Sequence, residues 1–158
     1  MEDYLFKGTL NHVHDIKGFD TLRMTELDET IGHVTLETEA HKGFSNCYGN
    51  AHGGALLAMV DMSASAAAYS LGKHVVTLSV SYNFTRGVVL DGSKIRIISD
   101  VVHNGRTTMV IETLIKNEKD QVCLRGLMTA FVTKEVEESD PIPAATYTFD
   151  ANALGRSC

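Results

Sequence analysis

The chain has 158 residues and a mass of 17.2 kDa, enough for one core that buries about two thirds of the unfolded surface. Hydrophobic residues make up 44% and charged residues 22%, with two prolines, a balance that excludes a disordered or collagenous chain and points to one globular domain. A formal charge of −6 repels polyphosphate, so nucleic acid is not an expected partner and an anionic ligand requires a local basic patch.

The first residues, MEDYLFKGTLNHVHD, hold no apolar signal core and are neither rich in arginine nor poor in acids. The expected location is the cytosol, with the mitochondrion left open. Tyr4 to His14 fits a short helix within an N-terminal segment, 1–18. Two alternating stretches, Phe19 to Leu27 and Ile31 to Thr38, then read as a hairpin. A loop from Ala40 to Ala51 carries the turn residues Gly43, Asn46 and Gly49.

Gly53 to Leu71 is too long for a strand and is rich in Ala, Leu and Met, which predicts a helix closed by Gly72. It is apolar on nearly every face, as in a helix enclosed by its surroundings. Asp61 near its middle argues against a membrane span. From Val75 to Thr85 the residues alternate, placing Val76, Leu78, Val80, Tyr82 and Phe84 on one face and Thr77, Ser79 and Ser81 on the other. Lys94 to His103, Thr107 to Lys116 and Gln121 to Thr133 complete a predicted four-strand meander. The folded domain is expected over 19–134, followed by a polar tail, 135–158, that opens with an acidic, proline-bearing run. One long apolar helix wrapped by an antiparallel sheet is an α+β architecture. Cys47, Cys123 and Cys158 form neither a close pair nor a metal-type spacing, so free thiols are expected.

Asp61 carries the most chemical information, because a carboxylate among Leu57, Ala58, Met59, Val60, Met62 and Ala64 loses hydration that something must replace. Either nearby hydroxyls such as Ser65, four residues on, hold it, or it serves as a general base or nucleophile with a pKa raised by desolvation. His52-Gly53-Gly54 opens the same helix, where backbone N–H groups lack intrahelical acceptors and can stabilise an oxyanion. Close helix packing is the alternative use of the two glycines. At 1.5 Å per residue, Gly53 and Asp61 lie about 12 Å apart along the helix, too far to touch one carbonyl. If both serve one carbonyl, Asp61 must come from a second chain, which a two-fold dimer supplies twice.

Asn46-Cys-Tyr-Gly-Asn-Ala-His-Gly-Gly54 followed by Asp61, then Val76-Thr-Leu-Ser-Val-Ser-Tyr82 and Asn104-Gly-Arg-Thr107, resembles the hotdog-fold acyl-CoA thioesterases of the phenylacetate-pathway and acyl-CoA thioesterase 13 type. The resemblance runs from about Phe19 to Phe131. It implies a hotdog fold and hydrolysis of an acyl-CoA, with an acyl-carrier-protein thioester as another possible substrate, without metal or redox cofactor. It further implies a homodimer, paired into a homotetramer, acting in lipid metabolism. Asn46 and the Gly53 N–H would polarise the thioester carbonyl, Asp61 would act across the dimer, and Thr77 or Ser65 would hold water. His52 and Gly54 would shape the helix start, with His52 a structural hydrogen-bonding residue. Asn104, Gly105, Arg106 and Thr107 would meet coenzyme A, Arg106 through a phosphate. Many relatives carry a proline where this chain has Thr85-Arg86-Gly87. A hydratase or dehydratase using His52 as proton carrier, and a non-catalytic acyl-CoA binding protein, are the alternative readings.

Overall fold

The first hairpin turns at Gly32, whose φ of +80° is open to glycine at little cost. The computed structural model describes residues 25–140, with side chains from residue 30 onward. The helix expected over Tyr4 to His14, the start of the first expected strand and most of the polar tail lie outside the described residues. Strand β1 covers Thr25–Thr30 and β2 covers His33–Glu39. The expected second strand began at Ile31, but Ile31 and Gly32 form the turn instead, and the Gly32 N–H donates to Ser70 Oγ at 2.9 Å.

Helix α1 spans Gly53–Ser70, about 27 Å of axis. It ends as the composition predicts, with Gly72 at φ +74° and its N–H donating to the Tyr69 carbonyl. Met59, Val60, Ala64, Ala66, Ala67, Ala68 and Tyr69 lie fully inside, and burying each of the larger side chains contributes roughly 1.5–3 kcal/mol. Leu57, Ala58, Asp61 and Ser65 are only half-buried. They recur every three or four residues, so they form one stripe. The single chain therefore covers most of the helix and leaves this stripe open.

The remaining strands are β3 (Lys73–Phe84), β4 (Lys94–Asn104), β5 (Thr108–Asn117) and β6 (Val122–Glu135). With β1 and β2 they make a six-stranded antiparallel sheet in the order β1-β2-β4-β5-β6-β3. Three strands, not four, form the meander. The segment from Thr85 to Ser93 between β3 and β4 is too long for a tight hairpin, so β4 pairs with β2 while β6 returns to β3. Among the described residues this leaves β3 as an edge strand, unpaired on one side, beside the open stripe of the helix.

The predicted alternation of β3 breaks at Leu78. Thr77 pairs with Ala130 and Ser79 with Thr129, a two-against-one bulge. A one-residue slip exchanges the faces of a strand. Thr77 therefore shares the helix-facing side with Val80 and Tyr82, whereas Val76 faces outward opposite Phe131.

Beyond β6 the chain folds back onto the sheet. The Val136 N–H donates to the Gly72 carbonyl, and Asp140 accepts from the Glu137 N–H, Lys134 and His74.

Candidate active site

The loop before the helix is held by its own backbone. Asn46 Oδ1 accepts from the N–H groups of Tyr48 at 2.9 Å and Asn50 at 3.1 Å, an Asx-type arrangement that identifies this atom as the oxygen. The side-chain NH2 is left as the donor toward a ligand. A Ser45–Ala51 bridge and the His52 N–H to Phe44 carbonyl bond carry the chain into α1.

His52 caps the helix, its Nδ1 accepting from the Gly54 N–H at 2.9 Å. Accepting at Nδ1 places the neutral ring's proton on Nε2. Such a ring is engaged as a cap and has no free basic nitrogen. Gly54 allows this approach, since a Cβ there would lie 3.1 Å from His52 Nδ1. Among the described residues no acceptor meets the Gly53 N–H, which stands at the positive end of the helix. A Cβ on Gly53 would meet the Phe84 ring at 3.4 Å, an ordinary contact.

Two turns further along, Asp61 Oδ1 accepts from Thr77 Oγ1 at 2.6 Å, and Met128 Sδ lies 3.4 Å from the same hydroxyl. The bulge at Leu78 makes the contact possible, because regular alternation would turn Thr77 to the outer face. Once its proton is given to Asp61, Thr77 Oγ1 keeps lone pairs that can accept from a water. Ser65 is half-buried and makes no hydrogen bond to Asp61 among the described residues. Of the two hydroxyls expected beside the carboxylate, only Thr77 reaches it.

Asn104, Met109, Ala130 and Thr77 form one row across four strands, which puts Asn104 about 14 Å from Thr77 at ~4.8 Å per strand. Lys73 Nζ ties this turn down, donating to Asn104 Oδ1 and to the Gly105 carbonyl at 2.8 Å. Sequence reasoning had not assigned Lys73 this anchoring role, since a lone surface lysine carries no signal of its partner. A Cβ on Gly105 would come within 2.7 Å of both His103 Nε2 and the Thr108 carbonyl. Arg106 and Thr107 are exposed. Among the described residues no cluster of His, Cys, Asp and Glu could hold a metal ion, and no helix is long and apolar enough to cross a membrane.

This geometry matches known proteins. A family model described as Thioesterase superfamily matches residues 48–124. A Streptococcus mutans protein solved bound to acetyl CoA is 32% identical, with a TM-score of 0.73 over 80% of this chain and 99% of that one. The chain belongs to the thioesterase superfamily. A hypothetical thioesterase from Streptococcus pneumoniae was solved with coenzyme A; it is 32% identical, with a TM-score of 0.71 over 73% of this chain and 93% of that one. Two further structures of that protein each replace one residue by alanine, an aspartate in one and a threonine sixteen positions later in the other. The Escherichia coli PaaI protein of the phenylacetic acid degradation operon shares the fold, at 16% identity and a TM-score of 0.77 over 85% of this chain and 97% of that one. A search of curated protein sequences finds no match. The expected α+β hotdog fold is present, and thioester hydrolysis is the activity of the superfamily.

Proposed function

We propose that this thioesterase hydrolyses acyl-CoA thioesters as a dimer, with Asp61 of one protomer acting on a carbonyl held by the other. The observation that carries this reading is the Thr77–Asp61 hydrogen bond, which lies beside the open stripe of α1 and the unpaired edge of β3. An unpaired edge flanked by half-exposed Val80 and Phe84 favours pairing with a second copy. Antiparallel helices would then bring each Asp61 toward the other chain's Gly53, which is out of reach within one chain. Pairing of two such dimers into a tetramer is the larger assembly we expect.

In this arrangement the Gly53 N–H and the Asn46 side-chain amide bind the thioester oxygen, which gains negative charge as the carbonyl is attacked. The partner chain supplies both Asp61 and Thr77. Thr77 accepts a hydrogen bond from the attacking water while Asp61 takes its proton. The carbon–sulfur bond then breaks, and the thiolate leaving group recovers a proton to give the free thiol beside the carboxylic acid. A direct attack by Asp61, through a mixed anhydride that water then opens, uses the same groups. Ser65 remains a second water-holding candidate from the same helix face.

Support for coenzyme A comes from the two streptococcal relatives solved with acetyl CoA and coenzyme A. The aspartate and threonine replaced in the pneumococcal relative have the sixteen-residue separation of Asp61 and Thr77. Asn104 to Thr107, anchored by Lys73, would receive the coenzyme, with exposed Arg106 meeting a phosphate. The test is thiol release from short, medium, long and aryl CoA thioesters. Asp61→Asn is expected to keep the fold and coenzyme binding and to lose at least a hundredfold in kcat. Hydrolysis by this variant at the wild-type rate removes Asp61 from the mechanism.

A further inference from the structure

Among the described residues the sheet has two edges, β1 and β3, and they differ in kind. The β1 sequence, Thr-Glu-Leu-Asp-Glu-Thr, is acidic, and its pairing with β2 shifts between Glu26 and Asp28. Charge and a bulge both work against pairing with a copy of itself. From Val75 to Phe84, β3 holds no charged residue, and its pairing with β6 is regular from Ser79 to Phe84. This edge offers a second copy backbone donors and acceptors without repulsion.

Two contacts between α1 and β3 fix where the proposed reacting groups stand along that edge. Asp61 is held by Thr77, and the Phe84 ring lies 3.4 Å from the position a Cβ on Gly53 would take. Thr77 and Phe84 thus mark the carboxylate and the helix start on the strand. They are seven residues apart on β3, yet their partners on β6, Ala130 and Leu124, are six apart, because Leu78 is the extra residue of the bulge. An even number of steps puts both residues on the helix-facing side.

The proposed site needs Asp61 of one protomer beside Gly53 of its partner. In an antiparallel pair of β3 strands this happens when Thr77 of one chain lies opposite Phe84 of the other, since directly opposed residues share a face and stand about 4.5–5.5 Å apart. Midway between Ala130 and Leu124 on β6 is Leu127, the partner of Ser81. In this register Ser81 meets its own copy at the two-fold axis, Val80 meets Tyr82, and Ser79 meets Asn83. A regular strand would put Thr77 and Phe84 on opposite faces, and no antiparallel register could then oppose them.

We propose that two copies of this chain pair through β3 in this one register, Ser81 opposite the partner's Ser81, and that the bulge at Leu78 is the feature that aligns Asp61 with the partner's Gly53. The inference rests on the acyl-CoA thioesterase reading above and adds to it the residues that form the interface. The pairs it creates, Val80 with Tyr82 on the helix side and Ser79 with Asn83 on the outer side, set apolar against apolar and polar against polar, with no charge between them.

The experiment is a cysteine scan of this edge in a parent carrying Cys47→Ser and Cys158→Ser, with buried Cys123 kept. Each variant is oxidised and run without reductant, and light scattering and thermal melting report assembly and folding. Copies of Ser81 stand about 5 Å apart in this register, within disulfide reach, whereas copies of Ser79, or of Asn83, lie about 14 Å apart at ~3.4 Å per residue. Ser81→Cys is expected to convert most of the chain to a covalent dimer that still releases thiol. Ser79→Cys and Asn83→Cys are each expected to stay uncrosslinked alone and to cross-link when combined in one chain. The combined variant is the second test should Ser81→Cys fail to fold or to oxidise. A monomeric parent, a cross-link through Ser79→Cys or Asn83→Cys alone, or no cross-link in either Ser81→Cys or the combined variant overturns the inference; thiol release by such a protein leaves the thioesterase reading standing. Cross-linking at Ser81→Cys in a protein that releases no thiol from any acyl-CoA supports the register and overturns the thioesterase reading.

Discussion

Thr77 and Asp61 meet at 2.6 Å across the gap between strand β3 and helix α1, and they do so because the bulge at Leu78 moves Thr77 to the helix side. The contact spans sixteen residues and joins the helix to the strand that, among the described residues, forms the open edge of the sheet. It gives Asp61 a fixed orientation without enclosing it within the single chain.

The Thr77 hydroxyl is expected to matter more than its methyl. Thr77→Val removes a hydrogen bond to a carboxylate, worth about 1.5–3 kcal/mol, and should lower kcat by roughly ten- to a hundredfold. Thr77→Ser should recover most of the activity. Steady-state thiol release on the three proteins checks this, and equal rates in Val and Ser variants would exclude a role for the hydroxyl.

Gly53→Ala separates packing from carbonyl binding. The added methyl would make only ordinary contact with Phe84, so the melting temperature should change little. The same methyl stands where a ligand oxygen must approach the backbone N–H, and a loss of about 2.7–4 kcal/mol in transition-state stabilisation is the scale expected for an oxyanion donor. A variant with full activity and unchanged stability would show that the Gly53 N–H is not used.

Gly126→Ala is expected to be strongly destabilising. A Cβ there would lie 2.0 Å from the Ser81 carbonyl oxygen, and backbone cannot yield as a flexible side chain does. Overpacking costs about 1–3 kcal/mol or more, which a denaturant midpoint reads directly. Because Gly126 pairs with both Tyr82 and Thr113, the loss should be accompanied by displacement of β3.

Asp140 gives the protein an acid-sensitive contact at the end of the described chain. The Glu137 N–H, together with Lys134 and His74, pulls its carboxyl from 3.8 down to about 2. A carboxylate whose pKa is lower in the folded chain stabilises it above the unfolded pKa, and this contribution is lost as pH falls from about 4 through about 2. The melting temperature of Asp140→Asn should lie below that of the wild type at pH 7, with the gap closing over that acid range. A gap that stays constant down to pH 2 would contradict this.

Local sequence pattern was enough to locate the helix and its glycine stop, because Ala-rich propensity and a positive φ at Gly72 act within a few residues. It also marked Asp61 as out of place in apolar surroundings, and His52-Gly53-Gly54 as a helix start with donors to spare. The placement of Thr77 was different: alternation put it on the face opposite Val80 and Tyr82, and only the pairing of β3 with β6 revealed the extra residue at Leu78 that brings it to their side. Lys73 on Asn104, and Phe84 beside Gly53, likewise join residues separated by tens of positions. Sequence alone thus determined which segments are helix or strand and which residues stand out as candidates for chemistry, since those depend on near neighbours. Tertiary structure decided which of them meet, because register, bulges and strand order arise from contacts between distant segments that compete for one buried face.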